Sequence, residues 1–125
     1  MKNLLLSGII FCAIATIYAC AANKTEVPQP IVCTGVNVDS NTYTLAIKPI
    51  LDANCATFAC HSAAVMESNV NLSAYVPAVA AFQNKDALCT IKQEGECLPM
   101  PDNQPKLADS LITVIQCWAE NGYKE

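Results

Sequence analysis

The feature that most constrains this chain is a seven-residue run, CATFACH, that ends in its only histidine. The run places the thiols of Cys55 and Cys60 close to the imidazole of His61. Two such thiols can add across the two vinyl groups of a haem, and a histidine that follows at once can bind the iron. The usual motif has two residues between the cysteines and this run has four, so the intervening residues must bulge outwards.

Three other uses of the same residues stay open. Zinc could bind the two thiols and the imidazole, although adjacent Cys60 and His61 seldom aim at one ion and no fourth ligand is evident. A Cys55–Cys60 disulfide fits an oxidising compartment but leaves His61 without a role. A redox-active dithiol fits worse, because such motifs have two intervening residues beside a βαβ pattern that this sequence lacks. Haem attachment is preferred, because it uses all three residues in the order in which they occur and needs no fourth ligand of the zinc type.

A methionine downstream provides the expected second axial ligand. A soft thioether opposite histidine raises the potential of a haem. Met100 precedes Pro101 in a proline-rich stretch that should hold it in an extended loop. Met66 follows His61 by only five residues, so it should lie on the same side of a haem as the histidine, and it is predicted to fill a gap in the core. The remaining alternative is that no protein side chain occupies the sixth coordination position of the haem iron.

Two apolar stripes predict the first and last helices. The first stripe comprises Tyr43, Ile47, Ile50 and Leu51, and the second comprises Leu107, Leu111, Val114, Ile115 and Trp118. Pro49 should bend the first helix, and Gly122 should cap the last one. Short helices are also predicted over Ala74–Phe82, capped by Ser73, and over Asp86–Lys92.

The order of these features, from the CATFACH run to Met100-Pro101 and Trp118, resembles the small single-haem cytochrome c domains of bacterial envelope proteins. The resemblance implies an all-α, cytochrome c-like fold of about four short helices around one covalent haem c. It also implies that the first and last helices cross beside the haem, and that His61 and Met100 bind its iron. The implied function is electron transfer rather than enzymatic catalysis, since no second histidine is left as a general base.

Two other functions stay open at this point. If Met100 does not bind the iron, the open sixth site would suit a haem-based ligand-binding or sensor module. Without any cofactor, the chain would be a disulfide-stabilised envelope module that binds another protein or a surface polymer.

Residues 1–19 predict a secretion signal. Lys2 precedes an apolar run over residues 4–17, which is too short for a convincing membrane span. The protein is therefore predicted in the bacterial cell envelope, either periplasmic or exposed at the surface.

The end of that signal resembles a lipobox, Ile17-Tyr18-Ala19-Cys20, although Tyr18 fits the pattern poorly. Cys20 is accordingly predicted to carry a lipid that anchors the protein to a membrane. Residues 20–40 would form a lipid-anchored, extended tether, and residues 41–125 the cytochrome c domain. Ordinary cleavage near Ala21 or Ala22, with loss of Cys20, is the alternative.

An even number of cysteines lies outside the predicted signal, the lipid anchor and the CATFACH run. Of the eight cysteines, Cys12 and Cys20 fall in the signal and anchor, and two belong to the CATFACH run. The four others are Cys33, Cys89, Cys97 and Cys117. In an exported protein they predict two disulfides, with three connectivities open. Cys89 and Cys97 bracket a short polar loop that a bridge could close, which would leave Cys33 to join Cys117, although free buried thiols are the alternative.

A surplus of acidic residues argues against a nucleic-acid partner. Without residues 1–19, six lysines and no arginine face eleven acidic residues, which gives a formal charge of −5. Binding to nucleic acid needs a basic surface instead. The charge suits redox partner proteins of the envelope that have a positive docking face. Any ion pair with haem propionates would have to come from lysine.

Overall fold

The computed structural model of the protein describes residues 33–125, where helices are joined by turns and no strand forms. The α-helices are α1 (Lys48–Asn54), α2 (Tyr75–Asn84), α3 (Ala87–Lys92) and α4 (Asp109–Glu120). The prediction of an all-α fold with about four short helices is therefore confirmed for this part of the chain. The predicted signal, Cys20 and residues 21–32 of the predicted tether lie outside the described residues. Within residues 33–125, no helix has the length and apolar character needed to cross a membrane.

Pro49 determines how the first helix is built. A π-helical turn, Tyr43–Ile47, precedes α1, and Pro49 is the second residue of α1. The amide of Lys48 donates to the carbonyl of Tyr43, five residues back, as expected of a π-turn. A proline ring crowds the carbonyl four residues upstream, and the wider turn gives it room. The bend predicted at Pro49 is thus a change from π to α geometry.

Helix α4 ends as predicted but begins later. Gly122 has a φ of +82°, its amide donates to Ala119 (3.3 Å), and the amide of Tyr123 donates to Trp118 (3.0 Å). These paired bonds form a Schellman cap, so the predicted cap at Gly122 is confirmed. The start predicted at Leu107 is wrong, because the helix begins at Asp109.

Leu107 nevertheless belongs to the buried core, as does Ile112. These residues occupy the positions before the N-cap and in the first turn of α4 that form a hydrophobic staple. The apolar stripe therefore extends beyond the helix, which explains why periodicity placed its start two residues too early.

The two middle helices follow the sequence pattern, apart from one cap. Helix α3 matches the predicted span within one residue. Ser73 was predicted to cap α2, which is wrong, since Ala74 occupies the cap position without a side-chain bond. Ser73 instead donates through its amide (2.9 Å) and its Oγ (2.7 Å) to Oδ1 of Asn71. Asn71 thus competes for the hydroxyl that would have capped the helix.

Trp118 lies at the centre of the core and is completely buried. Phe82 of α2 packs edge-on against it at 5.7 Å between ring centroids, and Tyr43 of the π-turn packs at 6.1 Å. Ile47, Leu51 and Ile115 are the other large apolar side chains that are essentially inaccessible. Trp118, which belongs to the second apolar stripe, is therefore a core aromatic.

The segment after α4 ties these elements together. The carbonyl of Lys124 accepts bonds from the amide of Tyr43 (2.8 Å) and from Nε1 of Trp118 (2.8 Å). The hydroxyl of Tyr75 donates to the carbonyl of Tyr123 (2.7 Å). The last residues therefore connect the first helix, α2 and α4, and they satisfy the buried indole.

The prediction of disulfide bonds is confirmed. One bridge joins Cys33 to Cys117, and the other joins Cys89 to Cys97. The first fastens the residues just before the π-turn to α4, where Cys117 is only 2% exposed. Nδ2 of Asn41 adds a second tie by donating to the carbonyl of Val114 (3.1 Å).

Removing the long-range bridge should destabilise the protein more than removing the local one. In the chain-entropy treatment, the Cys33–Cys117 loop is worth about 4.5 kcal/mol and the Cys89–Cys97 loop about 2.5 kcal/mol. Urea unfolding of the two double cysteine-to-serine variants measures this difference, and the yield of mature protein should follow the same order. Equal unfolding midpoints would contradict the expectation.

Candidate functional site

Helix α1 delivers Cys55 to the edge of the core. The helix ends at Asn54, and the amides of Cys55 (2.8 Å) and Ala56 (2.7 Å) both donate to the carbonyl of Leu51. Cys55 and Ala56 pack against the buried core. The position of the first thiol is therefore set by the same apolar stripe that buries Leu51.

The CATFACH run closes into a turn after that point. The amide of His61 donates to the carbonyl of Cys55 (3.0 Å), and the amide of Cys60 donates to that of Thr57 (3.1 Å). Phe58, in the middle of the turn, is 85% exposed. The intervening residues thus bulge outwards, and the turn brings the backbone of His61 back to that of Cys55.

The imidazole of His61 is oriented by a backbone carbonyl. Its Nδ1 lies 3.1 Å from the carbonyl oxygen of Glu67. A carbonyl can only accept a hydrogen bond, so Nδ1 carries a proton, and in the neutral ring the lone pair therefore lies on Nε2. Metal-binding histidines commonly use such a bond to fix the tautomer and the ring orientation.

A tight loop holds the carbonyl of Glu67 in place. The amide of Glu67 donates to the carbonyl of Cys60 (3.1 Å), and the amide of Leu72 donates to that of His61 (2.8 Å). Met66, Ser68 and Asn69 around it adopt left-handed backbone conformations, with φ between 51° and 57°. Such conformations are unfavourable outside glycine and persist where the surrounding bonds enforce them.

The same loop places Met66 at the surface. Its side chain is 38% exposed, so the predicted gap-filling role in the core is wrong. Met66 sits in the left-handed turn that carries the Glu67 carbonyl, and it lines an open cleft of about 250 Å³ beside helix α2. The lining comes from residues of the 66–71 loop and of α2, and it includes none of the four residues predicted to hold a haem.

Cys55 and Cys60 are the unpaired cysteines of the described part of the chain. Cys60 is exposed, whereas Cys55 is partly buried. Burial raises the pKa of the Cys55 thiol to about 11, and the nearby charge of Cys60 adds to the rise. Cys55 is therefore a protonated thiol at neutral pH.

Met100 lies on a separate loop between α3 and α4. Its side chain packs against the same buried core as Cys55. Its amide donates to the carbonyl of Thr90 (3.0 Å), and its carbonyl accepts from Nε2 of Gln93 (3.2 Å). The side chains of Cys55 and Met100 therefore reach the same core from distant parts of the sequence.

Sequence reasoning missed the groups that hold these side chains. The Glu67 carbonyl, the Thr90 carbonyl and the Gln93 amide orient His61 and Met100. Two of the three are backbone atoms, which every residue carries, so no residue-type signal could have found them. Gln93 has a usable side chain, but its role depends on the path of a loop.

No protein-family model, curated protein or solved structure matches the chain. Within residues 33–125, no three His, Cys, Asp or Glu side chains converge in a group that could hold a metal ion. A haem iron needs only its axial ligands from the protein, because the macrocycle supplies the rest. The chemistry of the site therefore has to be argued from the thiols, the imidazole and the thioether.

In protein produced without attached haem, iodoacetamide should modify Cys60 before Cys55 at neutral pH. The thiolate is the nucleophile, and little of Cys55 is ionised because its pKa is raised to about 11. The rate at Cys55 should therefore climb with pH and level off only near that pKa. Peptide mapping against time at several pH values measures both rates.

Unfolding in urea is the control, since it removes the burial that raises the pKa of Cys55. The two rates should then converge. Equal rates in the folded protein at neutral pH would show that Cys55 is not protected as described.

Proposed function

We propose that the protein is a single-haem c-type cytochrome that transfers electrons in the bacterial cell envelope. The observation that carries the proposal is the His61 ring, whose Nδ1 is bound to the Glu67 carbonyl while two unpaired thiols flank the same turn. This arrangement combines an imidazole with a free Nε2 lone pair and two attachment points. Covalent haem is the cofactor that uses all three.

The state of the cysteines supports covalent attachment. The other four described cysteines are paired in disulfides, whereas Cys55 and Cys60 are not, although one turn holds both. Each thiol would form a bond from Sγ to one vinyl carbon and transfer its hydrogen to the other carbon. No atom leaves in this addition, and the protonated thiol of Cys55 already carries the hydrogen required.

The proposed axial ligands are Nε2 of His61 and Sδ of Met100. In the neutral ring, the bond from Nδ1 to the Glu67 carbonyl places the lone pair on Nε2 and makes that nitrogen a better ligand. Hydrogen bonds at both its amide and its carbonyl fix the backbone of Met100. The His61 ring and the backbone of Met100 are thus held in place, which would help to keep the geometry of the centre constant between redox states.

When bound, haem supplies an iron that alternates between the ferrous and ferric states. The protein's part is to hold that iron in one geometry and to shield it from water. The core around Trp118, which packs against both the first helix and α2, provides the rigid wall. The contact of Tyr43 with Trp118 agrees with a cytochrome c-like crossing of the first and last helices.

The surface favours a protein partner for the electron. Phe58 is 85% exposed within the attachment turn, where an apolar side chain can touch a partner close to the haem edge. The acidic surplus suits redox proteins of the envelope with a positive docking face. A lipid on Cys20 would hold the protein on a membrane within reach of such partners.

Protein made in a host with a cytochrome c maturation system should carry one covalent haem. Its intact mass should exceed that of the processed polypeptide by one haem, and the pigment should resist extraction by acid and acetone. Replacing both Cys55 and Cys60 by serine should abolish the increase, while the Cys33→Ser, Cys117→Ser variant should keep it. An unmodified mass for the wild-type protein from this host would refute the proposal.

Replacement of the proposed sixth ligand should change the iron without removing the haem. Met100→Ala should abolish the weak near-infrared band of sulfur-ligated ferric haem and lower the reduction potential, because a soft thioether favours the ferrous state. Met66→Ala is the matched control and should change neither property. If the wild-type protein lacks the band and its ferrous form binds carbon monoxide readily, Met100 is not the ligand.

A further inference from the structure

We propose that the loop closed by the Cys89–Cys97 disulfide positions Met100, and that reduction of this disulfide by a dithiol releases Met100 from the iron. The inference rests on the proposed function, because it concerns the sixth ligand of a bound haem. It assigns a role to Gln93 and to the local bridge, neither of which the binding of haem itself requires.

The hydrogen bonds of Met100 both end in this loop. Its amide donates to the carbonyl of Thr90 (3.0 Å), and its carbonyl accepts from Nε2 of Gln93 (3.2 Å). Thr90 and Gln93 both lie between Cys89 and Cys97. The backbone of Met100 is thus held, at its donor and at its acceptor, by the segment that the disulfide closes.

The loop needs a constraint to keep that shape. Helix α3 ends at Lys92, and Gln93 adopts a left-handed conformation with a φ of 55°. The amide of Gln93 turns back to the carbonyls of Cys89 and Thr90, and the side chain of Lys92 pairs with Glu94 (3.0 Å). A left-handed glutamine is unfavourable by itself, so the covalent closure helps to keep Gln93 directed at Met100.

The two disulfides differ in accessibility. Cys89 and Cys97 are both partly exposed, whereas the other bridge joins the partly exposed Cys33 to Cys117, which is only 2% exposed. Attack by a thiolate requires access to a sulfur of the disulfide, and the Cys89–Cys97 bridge has two partly exposed cysteines where the other bridge has one. The thioethers formed by Cys55 and Cys60 would not exchange with thiols at all. A dithiol should therefore open the Cys89–Cys97 bridge first.

The redox step balances within the two reactants. The dithiol gives two electrons and two protons to the sulfurs of Cys89 and Cys97, which become two thiols, and is itself converted to a disulfide. Loop 89–97 then loses its closure, and with it the geometry that directs Gln93 and the Thr90 carbonyl at Met100. The sixth position opens, so an electron-transfer centre becomes one that binds small ligands at the iron.

The test compares the two bridges in full-length protein carrying its haem. In the Cys89→Ser, Cys97→Ser variant, the near-infrared sulfur-ligation band should be lost, and carbon monoxide should bind the ferrous form about tenfold faster or more. The Cys33→Ser, Cys117→Ser variant removes the larger loop constraint and is the matched control. It should keep the band and bind carbon monoxide slowly. A bridge variant that keeps the band and matches the control would overturn the proposal.

Hydrogen exchange provides a readout that does not depend on the iron. The amide of Met100 should exchange faster in the Cys89→Ser, Cys97→Ser variant than in the wild type, because its bond to Thr90 is weakened. The exchange rate of the Met100 amide should be unchanged in the Cys33→Ser, Cys117→Ser control variant. Equal protection of this amide in all three proteins would also overturn the proposal.

Two further measurements test the proposal even if the Cys89→Ser, Cys97→Ser variant folds poorly. Dithiothreitol can open the bridge in the wild type, and alkylation with peptide mapping then shows which cysteines were reduced. Labelling of Cys89 and Cys97 without a gain in carbon monoxide binding would contradict the proposal.

Gln93→Glu keeps the bridge but removes the Nε2 donor, and it should weaken the near-infrared sulfur-ligation band. Wild-type protein without haem would instead refute the proposed function, while amide exchange would still decide the positioning role.

Discussion

The orientation of the His61 ring, on which the proposed site depends, is set by one hydrogen bond, from Nδ1 of His61 to the carbonyl of Glu67. The backbone around that carbonyl adopts left-handed conformations at three of the four residues 66–69, namely Met66, Ser68 and Asn69. It then returns to the core at Leu72, whose amide closes the loop on the carbonyl of His61. The loop therefore fixes the orientation of the His61 ring, which is the property that the proposed ligation of iron would use.

The rest of the fold serves to hold this loop and the Met100 loop in register. The two loops come from distant parts of the sequence, and each rests on a core that α1, α2 and α4 share. Trp118 joins these helices by packing, and the Cys33–Cys117 bridge fastens the residues upstream of the first helix to α4. A shift of α1 relative to α4 would move Cys55 relative to Met100. The aromatic core therefore matters to the chemistry of the site as much as to stability.

The sequence predicted what depends on side-chain type and failed where backbone groups decide. Apolar periodicity and Gly122 located the helices and the α4 cap, because both arise from local rules that a few residues satisfy. The wrong cap at Ser73 arose because Asn71 competes for the same hydroxyl. Met66 is exposed because it lies in a left-handed turn, and the residue types of this segment do not indicate such a turn. The haem and its ligands stay a prediction, supported by the geometry of His61, Cys55 and Cys60.

The double use of the Lys124 carbonyl couples the first helix to the last one. Tyr43, at the start of the first helix, and Trp118 both donate to this acceptor, and both residues are buried. A displacement of Lys124 would therefore leave two buried donors without an acceptor at once, which costs more than the loss of a single surface bond. Fraying of the residues after α4 thus opens the centre of the core and not only its edge.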